Sequence, residues 1–207
     1  MRIKNIFILI LFALFISACS VNQIEKNIVV EVKKKVVLER EAISDELLSD
    51  INHILFLLKQ KDLETLNSRF INPHYGLYEV LKDNQNNKFI FNKKSQIDEI
   101  SDEIDSFEIK KEEVIFNCSP YDDKYYGWNK EGVFISTNIQ PYLSNIMKEA
   151  NLLKINTYSE EEIKIANNIE KTSYEVVIPY NIVFYITKID KQWYITLVDK
   201  VKTDCTN

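Results

Sequence analysis

The chain has 207 residues, with 26 Lys or Arg against 31 Asp or Glu, a length that suits one domain with a sizeable core. Its acidic balance repels phosphate backbones and no basic cluster sits on an aromatic platform, which argues against nucleic acid as a partner.

The chain opens with Arg2 and Lys4, an apolar run from Ile6 to Ile16, and the small residues Ser17-Ala18 ahead of Cys19. Rising ~1.5 Å per residue, that run covers only about half of a ~30 Å hydrocarbon core, so a permanent spanning helix is the weaker reading. Ile16-Ser17-Ala18-Cys19 resembles the lipobox of bacterial lipoproteins, with residues 1–18 as signal peptide. An ordinary cleaved signal without lipid is the alternative. The resemblance implies a diacylglyceryl thioether on Cys19, an acylated (palmitate-type) amine, and a membrane partner held through that lipid. Two or more chains hold a protein stably where one binds reversibly. Ser20, in place of the Asp tied to inner-membrane retention, points to the outer membrane facing the periplasm. Loss of Arg2 and Lys4 leaves 24 basic against 31 acidic residues, a net charge of −7, so lipid rather than surface charge must do the anchoring.

In an exported chain the two remaining cysteines, Cys118 and Cys205, form a candidate disulfide. Closing that loop stabilises by about 4–5 kcal/mol in the chain-entropy model, less any strain. Two free thiols are the alternative.

Residues 19–41 read as a charged tether, interrupted by Ile28-Val29-Val30 and Val36-Val37-Leu38, with Lys33-Lys34-Lys35 a solvated face. A single α+β domain is expected over 42–207. Ser44 is a good N-cap, Asp45 and Glu46 complement the helix dipole, and Ile43 can staple onto Leu48. Leu47, Leu48, Ile51, Ile54, Leu55 and Leu58 then recur at helical spacing. Asp62 caps a second helix carrying Leu63, Leu66 and Phe70; Pro73 ends it, and Gly76 permits a turn into a strand over 77–81.

Further on, the spacing predicts a strand over 88–92, an acidic helix over 95–105 with Ile97, Ile100 and Ile104, a strand over 107–117 and another over 132–136. Pro141 suits the first turn of a helix with Leu143, Ile146, Met147 and Ala150, and Ser159 with Glu162 has capping-box spacing ahead of Ile163, Ala166 and Ile169. Tyr174 to Thr187 reads as one long strand with its even-numbered residues on one face. A turn at 189–192 leads to a return strand whose core face is Trp193, Ile195, Leu197 and Val201.

Lys61–Leu66 followed by Phe70-Ile71-Asn72-Pro73-His74-Tyr75-Gly76, together with Trp193–Asp199, resembles the helix-to-strand junction and last hairpin of NTF2-like or cystatin-like bacterial lipoproteins. The resemblance implies N-terminal helices packed on a curved antiparallel β-sheet, here with extra central helices.

Chemistry is mostly marked by what is missing. Glycines occur only at 76, 127 and 132 and histidines only at 53 and 74, so phosphate cradles and His-Glu-x-x-His zinc sites find no support. Gly-x-Ser-x-Gly and Cys-x-x-Cys are absent. No catalytic residue, cofactor or metal is expected; Asp122 and Asp123 lack the further oxygen ligands of a calcium loop.

Two candidates remain. Tyr121, Asp122, Asp123, Tyr125, Tyr126 and Trp128 form a candidate binding surface, where aromatics stack and carboxylates accept hydrogen bonds. The competing reading folds Tyr125, Tyr126 and Trp128 back over the sheet. His74, in a turn, is the candidate polar group at a pocket mouth. The functional expectation is a non-enzymatic envelope lipoprotein that binds a protein partner or supports its assembly. The alternative is a small-ligand-binding or hydrolytic NTF2-like protein that uses a helix/sheet cavity.

Overall fold

The computed structural model describes residues 42–83, 88–99, 104, 108–119, 121, 126–136, 143–202 and 205. Cys19, its lipobox and the 19–41 tether lie outside the described residues. Among those described, no helix is long and apolar enough to cross a membrane.

Helix α1 (Asp45–Gln60) begins where Ser44 Oγ accepts a hydrogen bond from the Leu47 N–H at 3.2 Å. It stops where Lys61 turns left-handed at φ 56° and donates its N–H back to the carbonyls of Leu57 and Leu58. Helix α2 (Leu63–Phe70) follows at once, its first turn held by Asp62, which accepts from the Thr65 N–H at 3.0 Å. The chain then reverses through an Asx turn in which Asn72 Oδ1 accepts from the N–H groups of His74 and Tyr75, at 2.9 and 3.1 Å. Gly76 closes the turn at φ +63°; a Cβ there would stand 2.2 Å from the Lys94 carbonyl oxygen, so only glycine fits.

Strands β1 (Leu77–Asp83), β2 (Lys88–Lys94), β3 (Ile109–Lys110), β4 (Phe116–Asn117), β5 (Gly127–Trp128) and β6 (Val133–Ser136) precede helices α3 (Leu143–Leu152) and α4 (Glu160–Thr172). Strands β7 (Tyr174–Ile178), β8 (Ile182–Ile189) and β9 (Gln192–Asp199) end the fold. Seven strands make one sheet in the order β2-β1-β9-β8-β7-β6-β3, and β4 pairs with β5 in a separate ribbon. Pairing is antiparallel except between β1 and β9 and between β3 and β6. Among the described residues the architecture is α+β, with four helices on a mostly antiparallel sheet.

The sheet is buried on both faces. On one, Leu47, Ile51, Ile54, Leu55 and Leu58 of α1 and Leu66 and Phe70 of α2 pack with Val176, Phe184, Ile186, Trp193 and Ile195. On the other, Leu143, Met147 and Ala150 of α3 and Ala166 and Ile169 of α4 pack with Phe134, Val177, Val183, Tyr185 and Leu197. Alternate residues of the same strands serve the two layers, so β7 and β8 read as almost continuous apolar runs.

Four sequence expectations need correction. The long strand over 174–187 is a hairpin, turning at Pro179-Tyr180-Asn181 with Tyr180 at φ 62° and the Asn181 N–H donated to the Ile178 carbonyl at 3.0 Å. The three turn residues preserve parity: Ile178 pairs with Ile182, Val176 with Phe184 and Tyr174 with Ile186, all on the expected face, and only Tyr180 leaves it. In β9 the register slips between the neighbouring pairs Ile186–Ile195 and Tyr185–Leu197, so Thr196 is the extra residue of a bulge. Trp193 and Ile195 therefore face α1 and α2, whereas Leu197 and Val201 face the α3 side.

The acidic helix expected over 95–105 is not formed at 95–99, and 100–103 and 105 lie outside the described residues. Ile97 is instead strapped to α2: its N–H donates to Asn67 Oδ1 at 2.7 Å and its carbonyl accepts from Asn67 Nδ2 at 2.9 Å. The strand expected over 107–117 is reduced to β3 and β4. Between them Asn129 holds Ile115 by two hydrogen bonds, Ile115 N–H to Asn129 Oδ1 at 2.9 Å and Asn129 N–H to the Ile115 carbonyl at 3.2 Å.

Candidate binding cleft

A cleft of about 830 Å³ opens on the α3 side of the sheet, within the ~300–1,000 Å³ range of ligand pockets. Phe134, Val177 and Glu175 make its floor; Ile146 and Ala150 of α3, with Leu153 just after it, make one wall; the segment from Glu112 to Cys118, backed by Trp128, makes the other.

Both walls are fastened. Buried Glu170 of α4 accepts from the Leu143 and Ser144 N–H groups at 2.5 and 3.3 Å, satisfying the first turn of α3 where the helix dipole favours an anion. From the last turn of α3, Asn151 bonds both the N–H and the carbonyl of Tyr158, each at 2.7 Å. The Tyr158 hydroxyl in turn donates to the Phe89 carbonyl on β2, as does Asn156 Nδ2 at 3.0 Å. The capping box of Ser159 and Glu162 then starts α4 as expected. Opposite, a disulfide joins Cys118 to Cys205, with Cα atoms 5.3 Å apart, and ties the 112–118 wall to the C-terminal segment that supplies Val201 and Lys202.

At the floor Glu175 Oε1 accepts from Lys202 Nζ at 2.9 Å and from the Tyr185 hydroxyl at 2.7 Å. Burial pushes the Tyr185 phenol well above its usual range, and the negative charges of Glu175 and Asp199 push the same way, so Tyr185 acts as a neutral donor. Asp199 lies behind the floor, accepting from the Val201 and Lys202 N–H groups at 2.9 and 3.1 Å. Burial raises its carboxyl above the ordinary value of 3.8, against the pull of Lys202 and those two hydrogen bonds.

The mouth is apolar: Ile115, Leu153 and Ile155 line the cleft and still face solvent, Leu153 with 65% of its surface exposed. Around it stand Glu112, paired with Lys130 at 2.6 Å, and Glu113 and Glu149, which form no ion pair among the described residues. The indole N–H of Trp128 is buried without an acceptor.

The candidate surface read from sequence is divided by the structure. Tyr121 and Tyr126 are displayed, 92% and 58% exposed. Trp128 is only 6% exposed and packs on Phe116, ring centroids 4.9 Å apart, so it belongs to the cleft wall rather than to an exposed patch. Asp122, Asp123 and Tyr125 lie outside the described residues. His74 is exposed in its Asx turn and is not part of the cleft lining, so it is no mouth residue of this cavity. His53 lies half-buried with its ring edge-on to Phe70, centroids 5.5 Å apart. Among the described residues no three His, Cys, Asp or Glu are grouped as a metal ion requires.

Sequence reasoning missed Glu175 and Lys202, although the signal was present: a carboxylate inside the apolar run Tyr174-Glu175-Val176-Val177-Ile178 requires a partner. Comparison of the chain with family models, with curated proteins and with solved structures returned no match.

Proposed function

We propose that this protein is a non-enzymatic binding module of the cell envelope whose cleft beside α3 holds a largely apolar occupant. The observation that carries the reading is the open cleft itself, with Ile115, Leu153 and Ile155 left in water at its mouth. Exposed aliphatic side chains converging on a concave site favour an occupant that takes them out of water, at about 25 cal/mol per Å² of apolar surface covered. The floor charges are mutually engaged, which favours holding over reaction. Within this proposal Cys19 carries the lipid, 19–41 is the tether, and the module sits at the outer membrane facing the periplasm. The Cys118–Cys205 bond supports an exported location, because disulfides persist in oxidising compartments. The NTF2-like or cystatin-like reading is supported by α1 and α2 covering one sheet face, with α3 and α4 as the additional helices.

Titration with the neutral fluorophore N-phenyl-1-naphthylamine tests the cleft. Ala150→Phe places a ring in it from the α3 wall and should abolish the fluorescence gain, at an overpacking cost of about 1–3 kcal/mol that leaves the chain folded by circular dichroism. Undiminished fluorescence in that variant would sink the cleft reading. The lipid is tested separately: palmitate-analogue labelling should mark the wild type and spare Cys19→Ala.

A further inference from the structure

We infer that the occupant of the cleft is an extended peptide segment of a partner protein that combines apolar side chains with Lys or Arg, an inference that rests on the binding reading above. Apolar walls alone would suit an acyl chain equally well, and charge separates the two. The ionisable residues lining the cleft are four carboxylates, Glu112, Glu113, Glu149 and Glu175, against Lys82 and Lys202. Glu112 and Glu175 are engaged by Lys130 and Lys202, whereas Glu113 and Glu149 at the rim have no ion pair among the described residues. Behind the floor, Asp199 adds a further carboxylate. With Lys130 counted beside Lys82 and Lys202 the excess at the lining is a single negative charge, and it falls at the mouth, where exposed Glu113 and Glu149 attract cations and repel lipid phosphates and fatty-acid carboxylates.

The occupant that meets both features at once has aliphatic side chains for Ile115, Leu153 and Ile155 and ammonium or guanidinium groups for Glu113 and Glu149, carried on one backbone.

The test is fluorescence anisotropy of two labelled pentapeptides, Leu-Lys-Val-Lys-Leu and Leu-Glu-Val-Glu-Leu, with the full mature chain. The lysine peptide should bind at least about tenfold more tightly than its glutamate counterpart, and added salt should narrow the gap. Glu113→Gln with Glu149→Gln changes two exposed side chains and leaves the core intact. This pair should weaken the lysine peptide about five- to tenfold, as expected for two charge contacts. Equal binding of both peptides, or no effect of the two glutamines, overturns the inference while leaving the cleft reading in place. Failure of both peptides where dodecyl maltoside displaces the naphthylamine probe also overturns it, in favour of an acyl occupant. If Ala150→Phe alters binding of no probe at all, the underlying cleft reading falls too.

Discussion

The two faces of the sheet are covered by helices to very different degrees. On the α1 and α2 side, Leu47, Ile51, Ile54, Leu55 and Leu66 have no exposed surface and meet Val176, Phe184 and Ile186, which have none either. On the α3 and α4 side, the helices bury Met147 and Ala166 as completely but stop short of the sheet edge, and the uncovered part is the cleft. One face is core and its variation would be felt as stability. The other mixes core with unfilled concavity, and its variation would be felt as binding. The contrast marks the cleft side as the place to test the proposed binding.

The comparison breaks most visibly at Phe184, a fully buried ring under α1 and α2. Phe184→Ala should cost about 3–5 kcal/mol in urea unfolding, as ring removal from a closed core does. Leu153→Ser at the cleft mouth should cost less than about 0.5 kcal/mol and still weaken the naphthylamine probe. Similar stability losses at the two positions would mean the faces are not distinct. The disulfide comes next, since it braces the cleft wall rather than the closed core. Replacing Cys118 and Cys205 by serine should cost about 2–5 kcal/mol, with probe binding lost below the unfolding transition. Binding that survives until global unfolding would show that the wall stands without it. A smaller effect is expected at Glu170. Its replacement by Ala leaves the Leu143 and Ser144 amides without their acceptor, a loss of about 1–3 kcal/mol. Hydrogen exchange should rise in α3 and stay unchanged in α1.

The closed face was legible in the sequence and the cleft was not, for physical reasons. Ser44, Asp62 and the Ser159–Glu162 pair announce helix starts through bonds that close within three residues, so the cap and its partner are read together. The Asn72–Gly76 turn is local in the same way, and the Cys118–Cys205 pairing follows from the sequence once the lipobox resemblance assigns Cys19 to a lipid. Pairing of Glu175 with Lys202 spans 27 residues and two turns, and no periodicity records it. Period two assigned Val176 and Phe184 to a core face correctly. Val177, Val183 and Tyr185, the apolar residues between them, carried the message that the opposite face is buried as well, and that message went unread. Asn67 strapping Ile97 and the bulge at Thr196 are tertiary choices, which override the helical spacing of 97, 100 and 104 and the alternation along β9.

The smallest expected effect is also the most specific to the cleft side. Burial raises Asp199 above 3.8, so the folded chain holds that proton more tightly than the unfolded chain does. The stability belonging to this group is complete below 3.8 and is lost as pH rises through its folded pKa, the opposite of a salt-bridged surface aspartate. Asp199→Asn keeps an oxygen to accept from the Val201 and Lys202 N–H groups and removes the titration. Its urea midpoint relative to the wild type should therefore climb as pH rises above 3.8 and level off above the folded pKa. A relative midpoint that falls over this range would mean that the attraction of Lys202 outweighs burial. Asp199 would then be the more fully ionised behind the cleft floor, and its carboxylate would add to the negative charge of Glu113 and Glu149 at the mouth.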